Sequence, residues 1–206
     1  MYVLDLFSGT GGWSEAFKQG GEDVFRIDYD KQFEADAYLD IGETSQVLDV
    51  VPWTPDVILA SPPCNSFSRM SMGKMWEYGK TPIPKHPNAQ EGMRLVLATV
   101  RLIALYAPRW FAIENPRGRL QTLDLLDGFE RTEIWQCRFG KKVAKPTTIW
   151  TNVPVDWTGR KCHNGNGDHI AAPAGSRTGT QGMDKISSAA IPFQLSELVY
   201  NTIKHS

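Results

Sequence analysis

Long hydrophobic runs are missing from this sequence. No stretch stays apolar over enough residues to span a bilayer, and residues 2–7 read as a first strand rather than a leader, so a cytoplasmic protein is expected. Cysteine is scarce: Cys64, Cys137 and Cys162 are the 3 present, an odd number without framework spacing, which argues against a disulfide scaffold and for reduced thiols. No Cys-x-x-Cys pair occurs. Cys137, Cys162, His163 and His169 can be imagined around a zinc ion, but without such a pair no metal is expected. An excess of one charge is absent too. The net charge of -1 argues against the uniformly basic surface of a tight non-specific nucleic-acid binder and leaves room for one positive face. Neither the phosphate-binding lysine loop nor the dinucleotide fingerprint is found, and there is no internal repeat.

What is present suffices for one domain, or one and a half, with a real core: 206 residues, 41% of them hydrophobic. The chain is organised around Val57-Ile58-Leu59-Ala60-Ser61-Pro62-Pro63-Cys64, an apolar run of the buried parallel-strand kind that stops at two prolines. Proline fixes φ and has no N–H to donate, so the backbone leaves the strand stiffly and the Cys64 thiol is aimed. The carboxyl ends of strands are where open α/β sheets do their chemistry. Trp110-Phe111-Ala112-Ile113 repeats the pattern and ends at Glu114-Asn115-Pro116. If the two strands are parallel neighbours, Cys64 and Glu114 share one edge of the sheet, where a carboxyl group can serve as an acid.

Upstream, residues 3–7 form a strand, and Ser8-Gly9-Thr10-Gly11-Gly12 is a glycine-rich turn into a helix over 13–19. A second strand covers 22–27 and ends at Asp28-Tyr29-Asp30. An acid there suits a ribose and Tyr29 suits an adenine face, while Asp28 could equally cap a helix starting near Lys31. A third strand ends at Asp40-Ile41. Residues 66–90, with Arg69, Lys74, Lys80 and Lys85, read as a mobile lid. A helix over 89–106 should bury Met93, Leu95, Val96, Val100, Ile103 and Ala104. Antiparallel strands follow at 133–139 and 147–152, then a loop-rich stretch, then a short C-terminal helix from Ile191-Pro192 carrying Phe193, Leu195, Leu198 and Val199. Basic residues bunch at Arg138, Lys141, Lys142 and Lys145, at Arg117 and Arg119, and at Arg160 and Lys161, as solvated surface or as a nucleic-acid face.

Asp5-Leu6-Phe7-Ser8-Gly9-Thr10-Gly11-Gly12, Ser61-Pro62-Pro63-Cys64 and Glu114-Asn115-Pro116, in this order, resemble the cofactor loop, nucleophile loop and acid motif of the cytosine-C5 DNA methyltransferases, over about the first 150 residues. Ser176 to Gly182 together with Ile191-Pro192 is similar to the compact bacteriophage and prophage members. The resemblance implies an α/β, Rossmann-like, doubly wound S-adenosylmethionine-dependent fold with a much reduced target-recognition region. It divides the chain into a catalytic and cofactor-binding core (1–155), a small loop-rich recognition region (156–190) and a C-terminal helix packed back on the core (191–206).

By the same resemblance the cofactor is S-adenosylmethionine, the partner is double-stranded DNA, and the protein is a monomer in the cytoplasm of a bacterial host cell. Cys64 is then the nucleophile toward cytosine C6, Glu114 the group at N3, and Asn115 a positioning residue. Phe7, Gly9, Thr10, Gly11, Gly12, Asp28, Tyr29, Asp40, Ile41 and Pro62 are the cofactor residues, with Asp49-Val50 an alternative to Asp40-Ile41. The family's Gln-x-Arg-x-Arg motif survives only as Gln136-Cys137-Arg138, with Gly140 where the second Arg is expected, so the cation near the base is Arg138 or, in another register, Lys145. Transfer to tRNA, transfer of a modified donor group, and a non-catalytic DNA-binding role stay open as alternatives.

Overall fold

In the computed structural model, residues 1–68, 72–77, 82–163 and 167–206 are described. Seven strands form one sheet: β1 (Tyr2–Leu6), β2 (Asp23–Asp28), β3 (Ala37–Tyr38), β4 (Val57–Ala60), β5 (Trp110–Pro116), β6 (Arg131–Trp135) and β7 (Pro146–Thr151), in the order β3-β2-β1-β4-β5-β7-β6. The first five are mutually parallel, whereas β7 runs antiparallel to both β5 and β6. Strands covered on both faces need continuous apolar runs, and the fully buried Val57, Ile58, Leu59 and Ala60 are one.

The helices are α1 (Glu15–Gln19), α2 (Thr44–Val50), α3 (Met72–Met75), α4 (Pro87–Tyr106), α5 (Lys185–Ala189) and α6 (Phe193–Lys204). Helix α4 covers one face, packing with Leu4, Leu6, Ile58 and Phe111. The opposite face, through Val3, Val57 and Leu59, meets α1 and α6. α6 is pinned to α1 by Ser196, whose hydroxyl donates to Trp13 O (2.6 Å) and accepts from Ala16 N (3.2 Å). No helix among the described residues is long and apolar enough to cross a membrane.

Several sequence expectations are corrected. No helix starts near Lys31: the Asp28 carboxylate accepts from Asp30 N (2.8 Å) and that of Asp30 from Gln32 N (3.0 Å), which turns the chain back on itself. β3 ends before Asp40-Ile41, and the polar stretch after it contains α2. β5 continues through Glu114 to Pro116 because β7 pairs alongside it. The strand expected over 133–139 gives way at Gln136 to a 3-10 turn, Gln136–Phe139. On α4 the buried stripe is Leu95, Val96, Thr99, Leu102 and Ile103, and Ala104 is exposed; Thr99 joins it because its hydroxyl donates to Leu95 O (2.9 Å). On α6, Phe193 is exposed, and Ser196, Tyr200 and Ile203 are buried with Leu195 and Val199.

The expected lid lies partly outside the described residues, Arg69 and Lys80 included. Within them its root is core: Phe67 and Trp76 are fully buried with ring centroids 6.0 Å apart, and the Trp76 indole donates to Ser66 O (2.7 Å). Lys74 and Lys85 are exposed.

Candidate active site

β4 and β5 pair in parallel with Ala60 opposite Ile113, so the prolines of one strand's exit and the acid of the other come to the same edge. Asn115 joins them. Its buried amide donates to Pro62 O (2.9 Å), fixing the loop that carries Cys64 to the strand that carries Glu114. Glu114 is buried, and its Oε1 lies 3.3 Å from Lys145 Nζ and accepts from Gln136 Nε2 at 3.1 Å. The structure therefore brings Lys145 to the carboxylate. Arg138 instead pairs with Asp168 (2.6 Å) and donates to Lys161 O (3.1 Å).

A low thiol pKa is expected of a nucleophilic cysteine. Here burial pushes the Cys64 thiol up; Lys145 opposes the rise, the Glu114 charge adds to it, and the backbone N–H of Cys64 itself opposes it. The basic run 138–145 is not simply a solvated patch. Lys145 is buried and donates to Ala189 O (3.3 Å), while Lys141 donates to the carbonyls of Ser187, Ser188 and Ala190 at 2.9, 3.1 and 2.9 Å. Burial, followed by repulsion from Lys145, lowers the Lys141 pKa to about 8, with Glu114 opposing.

A cleft of about 720 Å³ opens at this edge. Cys64, Lys145 and Arg117 stand at one part of its wall and Phe7, Gly9, Thr10 and Gly12 at another. The glycine turn is shaped by positive φ at Phe7 (58°), Gly9 (49°) and Gly11 (74°), backbone geometry that is costly for a residue with a side chain such as Phe7. A Cβ on Gly11 would collide with the Arg26 guanidinium, and one on Gly12 would stand 2.5 Å from Ile191 O. Behind the turn the Ser14 hydroxyl donates to Asp5 Oδ2 (2.6 Å) and accepts from Arg26 Nε (2.9 Å). Arg26 also reaches Gly11 O (3.1 Å) and Glu15 (3.0 Å). Neither Ser14 nor Arg26 stands out in the sequence, because a lone polar residue in a helix start or a strand carries no spacing signal.

The other expected cofactor residues are placed differently. Asp28 accepts from Gly9 N (2.7 Å) and so braces the turn. Tyr29 is 78% exposed and absent from the cleft wall. Asp40 is tied to Arg94 (2.6 Å), Ile41 is buried in the core, and Pro62 is buried under Asn115. Asp49 and Val50 are exposed at the end of α2. Asp30, Phe33 and Trp13 line the cleft instead, as does a wall from Thr178 to Gln181 and Lys185 to Ile191. Among the described residues, the hydroxyls of Ser8 and Ser61, both on this wall, are buried without a partner. Orphaned donors on a cleft floored by backbone with no side chain in the way suit a polar, elongated cofactor.

The structure also gathers Cys137, Cys162 and His169, all buried, with ligand atoms within 4.8 Å of one another. The sequence let these three be imagined together with His163, but without a Cys-x-x-Cys pair its spacing gave no metal signature, since fold rather than local order brings them together.

A Rossmann-like methyltransferase is the class that this sheet order and glycine-turn cleft define. The model of the family described as C-5 cytosine-specific DNA methylase matches residues 1–124. The chain belongs to that family, the DNA (cytosine-5)-methyltransferases, whose methyl donor is S-adenosylmethionine. It is 29% identical over 157 residues to a Frog virus 3 (isolate Goorha) protein named "Probable DNA (cytosine-5)-methyltransferase", covering 74% of this chain and 71% of that one. It is 30% identical over 138 residues to the type II methyltransferase M.HgiGI of Herpetosiphon aurantiacus, covering 60% of this chain and 97% of that one.

Among solved structures it is similar to a protein described as a DNA modification methyltransferase encoded within an E. coli prophage, at a TM-score of 0.51 and 18% identity, covering 76% of this chain and 48% of that one. The Entamoeba histolytica methyltransferase EhMeth matches at 0.50 and 15%, covering 73% and 52%. The chain thus spans about half the length of the solved structures it matches.

Proposed function

We propose that this chain methylates C5 of cytosine in double-stranded DNA as a monomer, a phage-type modification enzyme working in the cytoplasm of a bacterial host. The observation that carries the reading is the convergence of Cys64 with Lys145, itself paired to the buried Glu114, on a cleft that also holds the glycine turn. Cytosine C5 is too weak a nucleophile to take a methyl group unaided. The Cys64 thiolate adds to C6, forming an Sγ–C6 bond and moving the ring electrons toward C5, while Glu114 holds a proton at N3 and Lys145 supplies positive charge beside the ring carbonyl.

Phe7, Gly9, Thr10 and Gly12 would hold S-adenosylmethionine, with Asp28 bracing their loop; when bound, it supplies an electrophilic methyl group. Once C5 carries the methyl, a base removes the C5 proton, the Sγ–C6 bond breaks and Cys64 is regenerated. None of these residues can reach a stacked base, so the cytosine is turned out of the duplex into the cleft.

Incubating DNA with S-adenosylmethionine and the protein, then weighing the nucleosides, should give 5-methyldeoxycytidine with the wild type and none with Cys64→Ala. Undiminished product from the variant would overturn the covalent mechanism. Product in tRNA but not DNA would overturn the acceptor.

A further inference from the structure

We propose that Cys137, Cys162 and His169 bind a structural zinc ion that fastens the loop region before α5 to the catalytic core. The three ligands come from two places. Cys137 lies in the 3-10 turn Gln136–Phe139 that ends β6, and Cys162 and His169 lie on the loop beyond β7. Two sulfurs and one imidazole nitrogen are the donor set zinc prefers among common divalent ions. The spacing of one pair fits the ion: with Zn–S near 2.3 Å and Zn–N near 2.0 Å at tetrahedral angles, sulfur and nitrogen stand about 3.5 Å apart. Cys162 Sγ and His169 Nδ1 are 3.4 Å apart.

The far side of the histidine is equally well defined. His169 Nε2 is 2.8 Å from Arg177 O, so the proton belongs on Nε2 and the lone pair of Nδ1 faces the two sulfurs. A metal-bound imidazole is usually held by such a hydrogen bond to a carbonyl or carboxylate. Asp168 Oδ2 lies 3.7 Å from Cys162 Sγ while paired with Arg138, on the turn that carries Cys137. The fourth position falls to this carboxylate or to water. None of the three ligands lines the cleft, so the ion is not a reagent of methyl transfer.

Its leverage on the site is positional. Gln136, next to Cys137, donates to Glu114, and the chain just after Arg177, whose carbonyl accepts from His169, supplies Thr178 to Gln181 of the cleft wall. An ion at the cluster ties both to one point in a region with little apolar core of its own.

The test is elemental analysis of the full chain purified under reductant from zinc-supplemented cells, beside Cys137→Ser and His169→Gln. Roughly one zinc per chain is expected in the wild type, with most of it lost in both variants. Because a variant can fail to fold, the wild type is also stripped with chelator and titrated with Co²⁺ alone, where a thiolate-to-cobalt charge-transfer band and tetrahedral d–d bands should appear and saturate at about one equivalent. Cobalt binding without the thiolate band, or a Cys137–Cys162 disulfide in the purified protein that persists in His169→Gln, would overturn the proposal. So would zinc below stoichiometry that His169→Gln leaves unchanged. None of these readouts depends on methylation, so they stand whichever way the activity assay falls.

Discussion

The proposed reaction needs Cys64 as an anion, yet its surroundings in the free protein favour the neutral thiol. Burial raises its pKa from the ordinary 9.0, and Lys145 is the main group resisting that rise. Thiolate chemistry should therefore be slow near neutral pH and should accelerate with pH without levelling off below pH 9. Alkylation of Cys64 by iodoacetamide, followed by mass spectrometry, measures this directly, Cys137 and Cys162 being buried. Lys145→Met removes the opposing charge and should slow alkylation several-fold at pH 8. An unchanged or faster rate would mean that Lys145 does not act on the thiol.

At the scale of the element, β1 and β2 hold a carboxyl group that resists ionising. Asp5 is fully buried, and burial raises its pKa from 3.8 to about 7, against the Ser14 hydrogen bond and the Arg26 charge. Between pH about 4 and 7 the native state keeps a proton that the unfolded chain has released. Stability must therefore fall as pH rises through that window, by an upper bound of about 4 kcal/mol. Asp5→Asn keeps an acceptor for Ser14 and cannot ionise, so its melting temperature should fall less than that of the wild type between pH 4 and 7.5. Parallel melting curves for the two proteins would show that Asp5 is not the group responsible.

The same strands show what sequence makes legible. β4 and β5 were readable because runs buried on both faces are apolar without interruption, and their prolines marked where Cys64 and Glu114 would emerge. The Asp5–Ser14–Arg26 network was not readable, since each member is one polar residue among apolar neighbours and only the β1–β2 register brings them together. Asp28 misled for a related reason: its carboxylate serves Gly9 and Asp30 rather than a following helix, and sequence does not say which N–H groups will be nearest. The pairing of Lys145 with Glu114 depended on β7 running antiparallel to β5, a choice of direction that local pattern does not encode.

At the scale of the molecule, the region between β7 and α6 is small and poor in regular structure, with α5 its one helix among the described residues. Each base read directly needs its own positioned side chain, and in the recognition role expected of it from the sequence a surface of this size places few of them. Sequencing of plasmid DNA methylated by the protein should therefore show cytosines in a short, degenerate context. A long, strictly palindromic site would point to recognition elements beyond this region.

Gly12 rests against the carbonyl of Ile191, and Ser196 makes both its hydrogen bonds with Trp13 and Ala16, so the glycine turn is finished by residues about 180 positions further along the chain. On a translating ribosome, β1 and its loop emerge long before the segment that braces them. The pocket stays unfinished until residues past Ser196 clear the exit tunnel. A chain cut short before α6 should therefore leave the cleft without one wall and bind S-adenosylmethionine far more weakly than the full chain, which calorimetric titration of the two would measure.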